Sequence, residues 1–110
     1  MKRAIELLPQ VSFSIMMALS LKPRHGYEII QQVEYDSMSK ICLGPGALYT
    51  TLKKLIDSEL IEEIDVDNNE RRRYYQLTKK GWQRLGADLD YYRNIAGLSK
   101  ARLTAEWGRS

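Results

Sequence analysis

A mainly α-helical fold with one β-hairpin, closed by a long helix that runs past the body of the domain, is what this sequence predicts. Three observations carry it. Apolar residues recur at helical spacing in three segments between Gln10 and Asp57. The period then switches to two across 61–67, and an aromatic, extended run follows at 71–78. Beyond Thr78 the helical period returns and persists to about Leu103.

The first helix is expected over residues 10–21, "QVSFSIMMALSL". Its apolar residues cover more than one face, so both sides should be buried. Lys22-Pro23 ends it, because proline disfavours helix in the residue before it. A second helix is expected from Gly26 to Ser37, with Tyr27, Ile29, Ile30 and Val33 inward, and residues 38–44 form a loop. Pro45 suits the first turn of a third helix, where its missing N–H is not needed. On a helical wheel Leu48, Leu52, Leu55 and Ile56 share one face; Gly46, Thr50, Lys53, Lys54 and Asp57 lie opposite, and Tyr49 borders the two.

In the first strand, "IEEIDVD", Ile64 and Val66 alternate with Glu63, Asp65 and Asp67. Asn68-Asn69 suits the tight turn to the second strand, and a two-residue turn there would set Asp65 opposite Arg72. Thr78 caps the last helix. The order helix, helix, helix, hairpin, helix is the layout of a winged helix-turn-helix carrying a long C-terminal dimerisation helix. The expected division is 1–77 for the winged domain and 78–110 for the dimerisation helix and tail.

Composition narrows the function. The chain has 110 residues, 17 Lys and Arg against 14 Asp and Glu, and a net charge of +3. That suits one domain with a modest core. The charge is unevenly spread: seven acids and no base from Asp57 to Glu70, then six bases and no acid from Arg71 to Arg84. Two differently charged surfaces follow. One cysteine, Cys42, excludes an intrachain disulfide and fits a reducing cytoplasm; a buried, inert thiol is expected. The longest apolar run, Ile15 to Leu19, is far short of the ~20 residues of a membrane span, so no membrane partner is expected. His25, the only histidine, has no nucleophile and acid arranged around it, and one His with one Cys makes a poor metal site. Neither an enzyme nor a cofactor is expected. His25 instead serves the loop entering the second helix.

The polar face of the third helix suits a DNA duplex. Lys53 and Lys54 match phosphates, Tyr49 and Thr50 match phosphates or base edges, and Gly46 lets the helix N-terminus approach a phosphate closely. Any amphipathic helix has a solvated face, so the context decides. Arg71, Arg72 and Arg73 on the hairpin supply reach toward phosphates or the minor groove, although Arg72 also has a cross-strand acid available. The acids of the first strand keep a second reading open, a winged-helix protein-interaction module that does not bind DNA.

Trp82, Leu85, Leu89, Tyr92, Ala96 and Leu103 follow a heptad-like seam, and Tyr91, Ile95 and Leu98 add a second stripe. A helix from Thr78 to Leu103 is about 39 Å long, more than a small winged domain can cover. A second copy of the chain is the simplest cover, with Phe13 and Met17 of the first helix joining the interface. Trp82, Tyr91, Tyr92 and Trp107 then suggest a slot for a planar or amphipathic ligand, with Asp88 and Asp90 favouring a cation.

"PRHGYEI" (23–29), "LGPGALYTTLKKL" (43–55), "LIEE" (60–63) and "RRRYYQLTKKG" (71–81) resemble the PadR family of bacterial transcriptional regulators, over roughly residues 8–95. The resemblance implies a dimeric winged-helix repressor, dimerised through its C-terminal helix and often responsive to small aromatic or amphipathic molecules. Because a two-fold dimer presents two equivalent third helices, a near-palindromic operator in double-stranded DNA is expected. The length implies the short subgroup with one C-terminal helix. Two positions depart from the family pattern: Glu59 stands where glycine is usual at the exit of the third helix, and Asn68-Asn69 replaces the usual glycines at the wing tip.

Overall fold

The computed structural model describes residues 6–65 and 72–107, and for 105–107 the backbone only. The expectations for Val66, the turn at Asn68-Asn69, Arg71 and the Trp107 side chain lie outside the described residues. Four helices and three short strands run in the order α1 (Gln10–Leu19), β1 (Arg24–His25), α2 (Gly26–Asp36), α3 (Pro45–Asp57), β2 (Ile61–Ile64), β3 (Tyr74–Leu77) and α4 (Lys79–Trp107).

Helix α1 is the centre of the core. Ile15, Met16, Ala18 and Leu19 are buried on it, as its many-sided apolar pattern requires. Ile29 and Val33 of α2, and Leu48, Leu52 and Leu55 of α3, close around it. Tyr27, expected inward, is 66% exposed. It lies two residues before Ile29, which on a helix puts it on nearly the opposite face. Ile56 likewise stands 37% exposed at the edge of the α3 stripe, because Leu55 takes the inward position at that turn.

Local chemistry fixes where the helices start and stop. His25 caps α2 in a reciprocal capping box: its Nδ1 accepts from the Glu28 amide at 3.4 Å, and Glu28 Oε1 accepts from the His25 amide at 3.2 Å. Pro45 begins α3 behind Gly44. At the exit of α3 the Leu60 amide donates to the Leu55 carbonyl and the Glu59 amide to the Ile56 carbonyl, both at 2.9 Å. This is a Schellman motif, and it sets Glu59 at φ 62°, in the left-handed region where glycine is usual. The same motif ends α2, with Met38 at φ 54°. Thr78 caps α4 by accepting from the Gly81 amide at 3.0 Å while donating to the Glu59 carbonyl at 2.6 Å.

The sheet is antiparallel in the order β1-β3-β2. Strand β1 was not expected; two residues are too few to show a period. The β2–β3 register also differs from expectation. A two-residue turn at Asn68-Asn69 would put Glu63 opposite Tyr74, but Glu63 faces Tyr75. Ile61, Tyr75 and Leu77 take the core side of this register and are buried. Ile64 is half-buried opposite Tyr74, on the other face. One step of register exchanges the faces, so burial of Ile61 and Leu77 selects this pairing. The anticipated Asp65–Arg72 pair gives way to Arg73 beside Glu63, at 3.6 Å.

Helix α4 leaves the domain from a close contact. A Cβ on Gly81 would lie 2.0 Å from the Leu60 carbonyl oxygen, so only glycine lets α4 start this near β2. Leu85 is 2% exposed and Leu89 packs on the same core, so this part of the expected dimer seam is covered within the chain. Asp88, also buried, accepts from the Leu8 amide at 2.8 Å and from Arg84 Nε at 3.2 Å, while Arg84 donates to the Glu6 carbonyl. These bonds fasten the segment before α1 to α4. From Asp90 to Thr104 every residue is exposed. Among the described residues no helix is long and apolar enough to cross a membrane.

Candidate nucleic-acid interface

Burying Leu48, Leu52 and Leu55 turns Gly46, Tyr49, Thr50 and Lys53 outward on α3. No atom stands within 4 Å of the place a Cβ on Gly46 would occupy, so the first turn of α3 is open. Its neighbour Thr51 turns its hydroxyl back to the Ala47 carbonyl at 2.8 Å. Lys53 Nζ lies 3.2 Å from Asp57 Oδ2 in a fully exposed pair. Such a pair is worth only tenths of a kcal/mol, so a phosphate can displace it.

Tyr49 sits differently. Its hydroxyl lies where a Cβ on Gly26 would come within 2.6 Å of it, so the Gly26 backbone and Tyr49 bring the first turns of α2 and α3 together. Beside this contact is an open groove of about 880 Å³ lined by His25, Tyr27, Gln31, Tyr49, Arg72 and Arg73, among others. Strand β1 brings this about. Hydrogen-bonded to β3, it carries the start of α2 to the base of the hairpin and sets His25 opposite Tyr74. The His25 ring meets Tyr74 edge-on at 5.4 Å, and Nε2 lies 3.3 Å from Arg72 Nη1. The hydroxyl of the buried Tyr75 is pushed up from its usual titration range, first by burial and then by the nearby Glu63. Two phenols, two guanidiniums, a helix N-terminus and one carboxylate, Glu28, thus face one channel, whose positive excess suits a chain of phosphates.

Among the sequence-derived candidates, the structure brings together Tyr49, Arg72 and Arg73. Lys54 is not with them. It borders a separate cleft with Glu6, Lys80 and Arg84, on the side of α3 toward α4. Tyr27 and Gln31 were missed. A strict count from Ile29 and Val33 would have turned them outward, but nothing local shows that β3 approaches. The acids of β2 are engaged at home, Glu62 accepting from Gln76 at 2.7 Å and Glu63 beside Arg73.

The aromatic trio of α4 divides. Tyr91 and Tyr92 meet edge-on at 5.5 Å, and Tyr92 packs on Phe13 at 5.2 Å. Trp82 is nine residues before Tyr91, about half a turn out of phase. Asp88 is buried and engaged, and Asp90 pairs with Arg93 at 3.0 Å, so neither carboxylate is set aside for a cation. Cys42 is exposed rather than buried. It donates to the Ser39 carbonyl at 3.5 Å, and the nearby Glu34 carboxylate chiefly pushes the thiol up from its usual range.

Three helices, a small antiparallel sheet with a hairpin and a long terminal helix define a winged-helix protein of the transcription-regulator class. The chain belongs to the PadR-like family of transcriptional regulators, whose model matches residues 15–87. It is therefore a regulator, not an enzyme. It is 34% identical over 71 residues to a Lysinibacillus sphaericus protein named only as uncharacterized, a match spanning 62% of this chain and 65% of that relative's length. Its fold is similar to that of a PadR family transcription regulator from Clostridium difficile R20291, with TM-score 0.72, 26% identity, and coverage of 86% of this chain and 99% of that one. It is also similar to a PadR-like transcriptional regulator from Bacillus cereus, with TM-score 0.71, 19% identity, and coverage of 84% and 90%. RosR of H. salinarum matches at TM-score 0.68 and 20% identity, with coverage of 94% and 96%.

Proposed function

We propose that this regulator is a cytoplasmic, homodimeric repressor that binds double-stranded DNA at a near-palindromic operator and is released by a small planar or amphipathic ligand. The observation that carries the DNA reading is the groove that Tyr49 of α3 shares with Arg72 and Arg73, with Thr50 and Lys53 exposed on the same helix. Helix α3 lies in the major groove, with Thr50 at base edges and Lys53 at a phosphate, and the arginines follow the backbone or minor groove. Glu62 is held by Gln76 and Glu63 lies beside Arg73, which tempers the acidic strand that favours a module that does not bind DNA.

The dimer reading rests on the outer part of α4. Tyr91, Tyr92, Ile95, Leu98 and Leu103 are all exposed large hydrophobics on one helix, with Ala96 between them. A partner helix with Phe13 and Met17 of its α1 would cover them. The ligand reading rests on Tyr91, Tyr92 and a depression of about 180 Å³ bordered by Phe13 and Met17; Trp82 would join only from the second chain.

Fragments selected from a random DNA pool give the operator, and titrations at several salt concentrations test the contacts. Thr50→Ala should narrow the gap between operator and random DNA. Lys53→Ala and Arg73→Ala should weaken binding to all sequences and flatten the dependence on salt by about 0.9 per lost phosphate. Binding that ignores salt would overturn the reading.

A further inference from the structure

We propose that His25 is a positioning residue for DNA recognition: it holds the Arg72 guanidinium over the N-terminus of α2, so that the hairpin's arginine and the first turn of α2 address the same phosphate. The inference rests on the DNA-binding reading above and adds a residue to it.

His25 is buried to 8% exposure, and its ring meets Glu28, Tyr74 and Arg72. Its backbone is in β1, hydrogen-bonded to β3. Nδ1 faces the Glu28 amide of α2. One edge packs against Tyr74 of β3, and Nε2 lies 3.3 Å from Arg72 Nη1 at the base of the hairpin and 3.4 Å from Glu28 Oε1. A neutral imidazole has one acceptor nitrogen, so the cap and Arg72 compete for it. Arg72 has five N–H donors, so a phosphate over the first turn of α2 can take the others while Nη1 stays on the ring. No residue near His25 in sequence reveals the contact, because Arg72 is 47 positions away. Arg73, by contrast, has its own acid in Glu63 and needs no such guide. The charged groups facing this spot are Arg72, Arg73 and Glu28, and Glu28 is tied to the His25 amide by the capping box.

Asparagine separates the two roles. His25→Asn keeps a good cap for α2 but is too short to reach Arg72 or Tyr74. His25→Ala loses both. The experiment is a set of operator titrations against salt for the full chain, its His25→Asn, His25→Ala and Arg72→Ala variants and the His25→Asn/Arg72→Ala double variant, with thermal unfolding of each.

Arg72→Ala should flatten the salt slope by about 0.9 per protomer, or about 1.8 for a dimer. His25→Asn should flatten it nearly as much while unfolding close to the parent temperature. The double variant should bind no more weakly than Arg72→Ala alone, because both changes remove one contact. His25→Asn with the parent slope would overturn the proposal, as would additive losses in the double variant or a parent slope in Arg72→Ala. Failure of the parent itself to bind any selected DNA would instead overturn the DNA reading.

Discussion

Replacing Glu59 by glycine should stabilise the protein, although it deletes a side chain. Glu59 is held at φ 62° by the Schellman motif closing α3, and its carbonyl is fixed by the Thr78 hydroxyl. A side chain with a Cβ costs about 1–2 kcal/mol in that conformation. Glycine removes this strain but gives back roughly 0.4–1 kcal/mol through the freer unfolded chain. The Glu59–Lys80 pair at 3.9 Å joins two exposed side chains, and its loss is worth a few tenths of a kcal/mol at most. An acid at a helix C-terminus is itself unfavourable by about 0.3 kcal/mol or more, which offsets that loss. The net gain is about 0–1.6 kcal/mol, centred near 0.8 kcal/mol, or up to roughly 7 °C in Tm for a domain of this size. Urea unfolding at one fixed protein concentration measures it, since dimerisation would make stability depend on concentration. Glu59→Ala is the control: it loses the same charge but keeps the Cβ, and it should gain nothing comparable. If Gly and Ala prove equally stable, the left-handed strain is not what Glu59 contributes.

Gly81→Ala should destabilise the fold by about 2 kcal/mol or more, because the methyl group meets the Leu60 carbonyl and α4 must move away from β2; thermal unfolding reads this directly. Ile95→Glu should split the proposed dimer while leaving each domain folded, since Ile95 lies on the exposed part of α4. Leu89→Glu should unfold the domain as well, because Leu89 packs on its own core; sedimentation together with circular dichroism separates the two outcomes. Cys42 should alkylate more slowly at pH 8 than an unhindered thiol despite its exposure. A raised thiol pKa leaves less thiolate there, and Glu34→Gln should speed the reaction.

The helices were legible in the sequence because what makes them is local. Pro45 at the first turn of α3, Thr78 before α4 and the three-four spacing of Leu48, Leu52 and Leu55 act within a few residues of each other. The outward face of α3 followed from the inward one, so Tyr49, Thr50 and Lys53 could be placed without coordinates. What tertiary structure alone decided depends on segments far apart in the chain. Two residues of β1 have no period to read, yet they bring His25 to Tyr74 and Arg72 and so build the groove. The hairpin register was misread because it is selected by burial of Ile61 and Leu77 against the helices, not by the residues nearest the turn. Along α4 the apolar stripe looks continuous from Trp82 to Leu103. Only the packed domain shows that its own core claims Leu85 and Leu89 and leaves Tyr91, Ile95 and Leu98 exposed, because hydrophobic spacing marks which face is apolar but not what covers it.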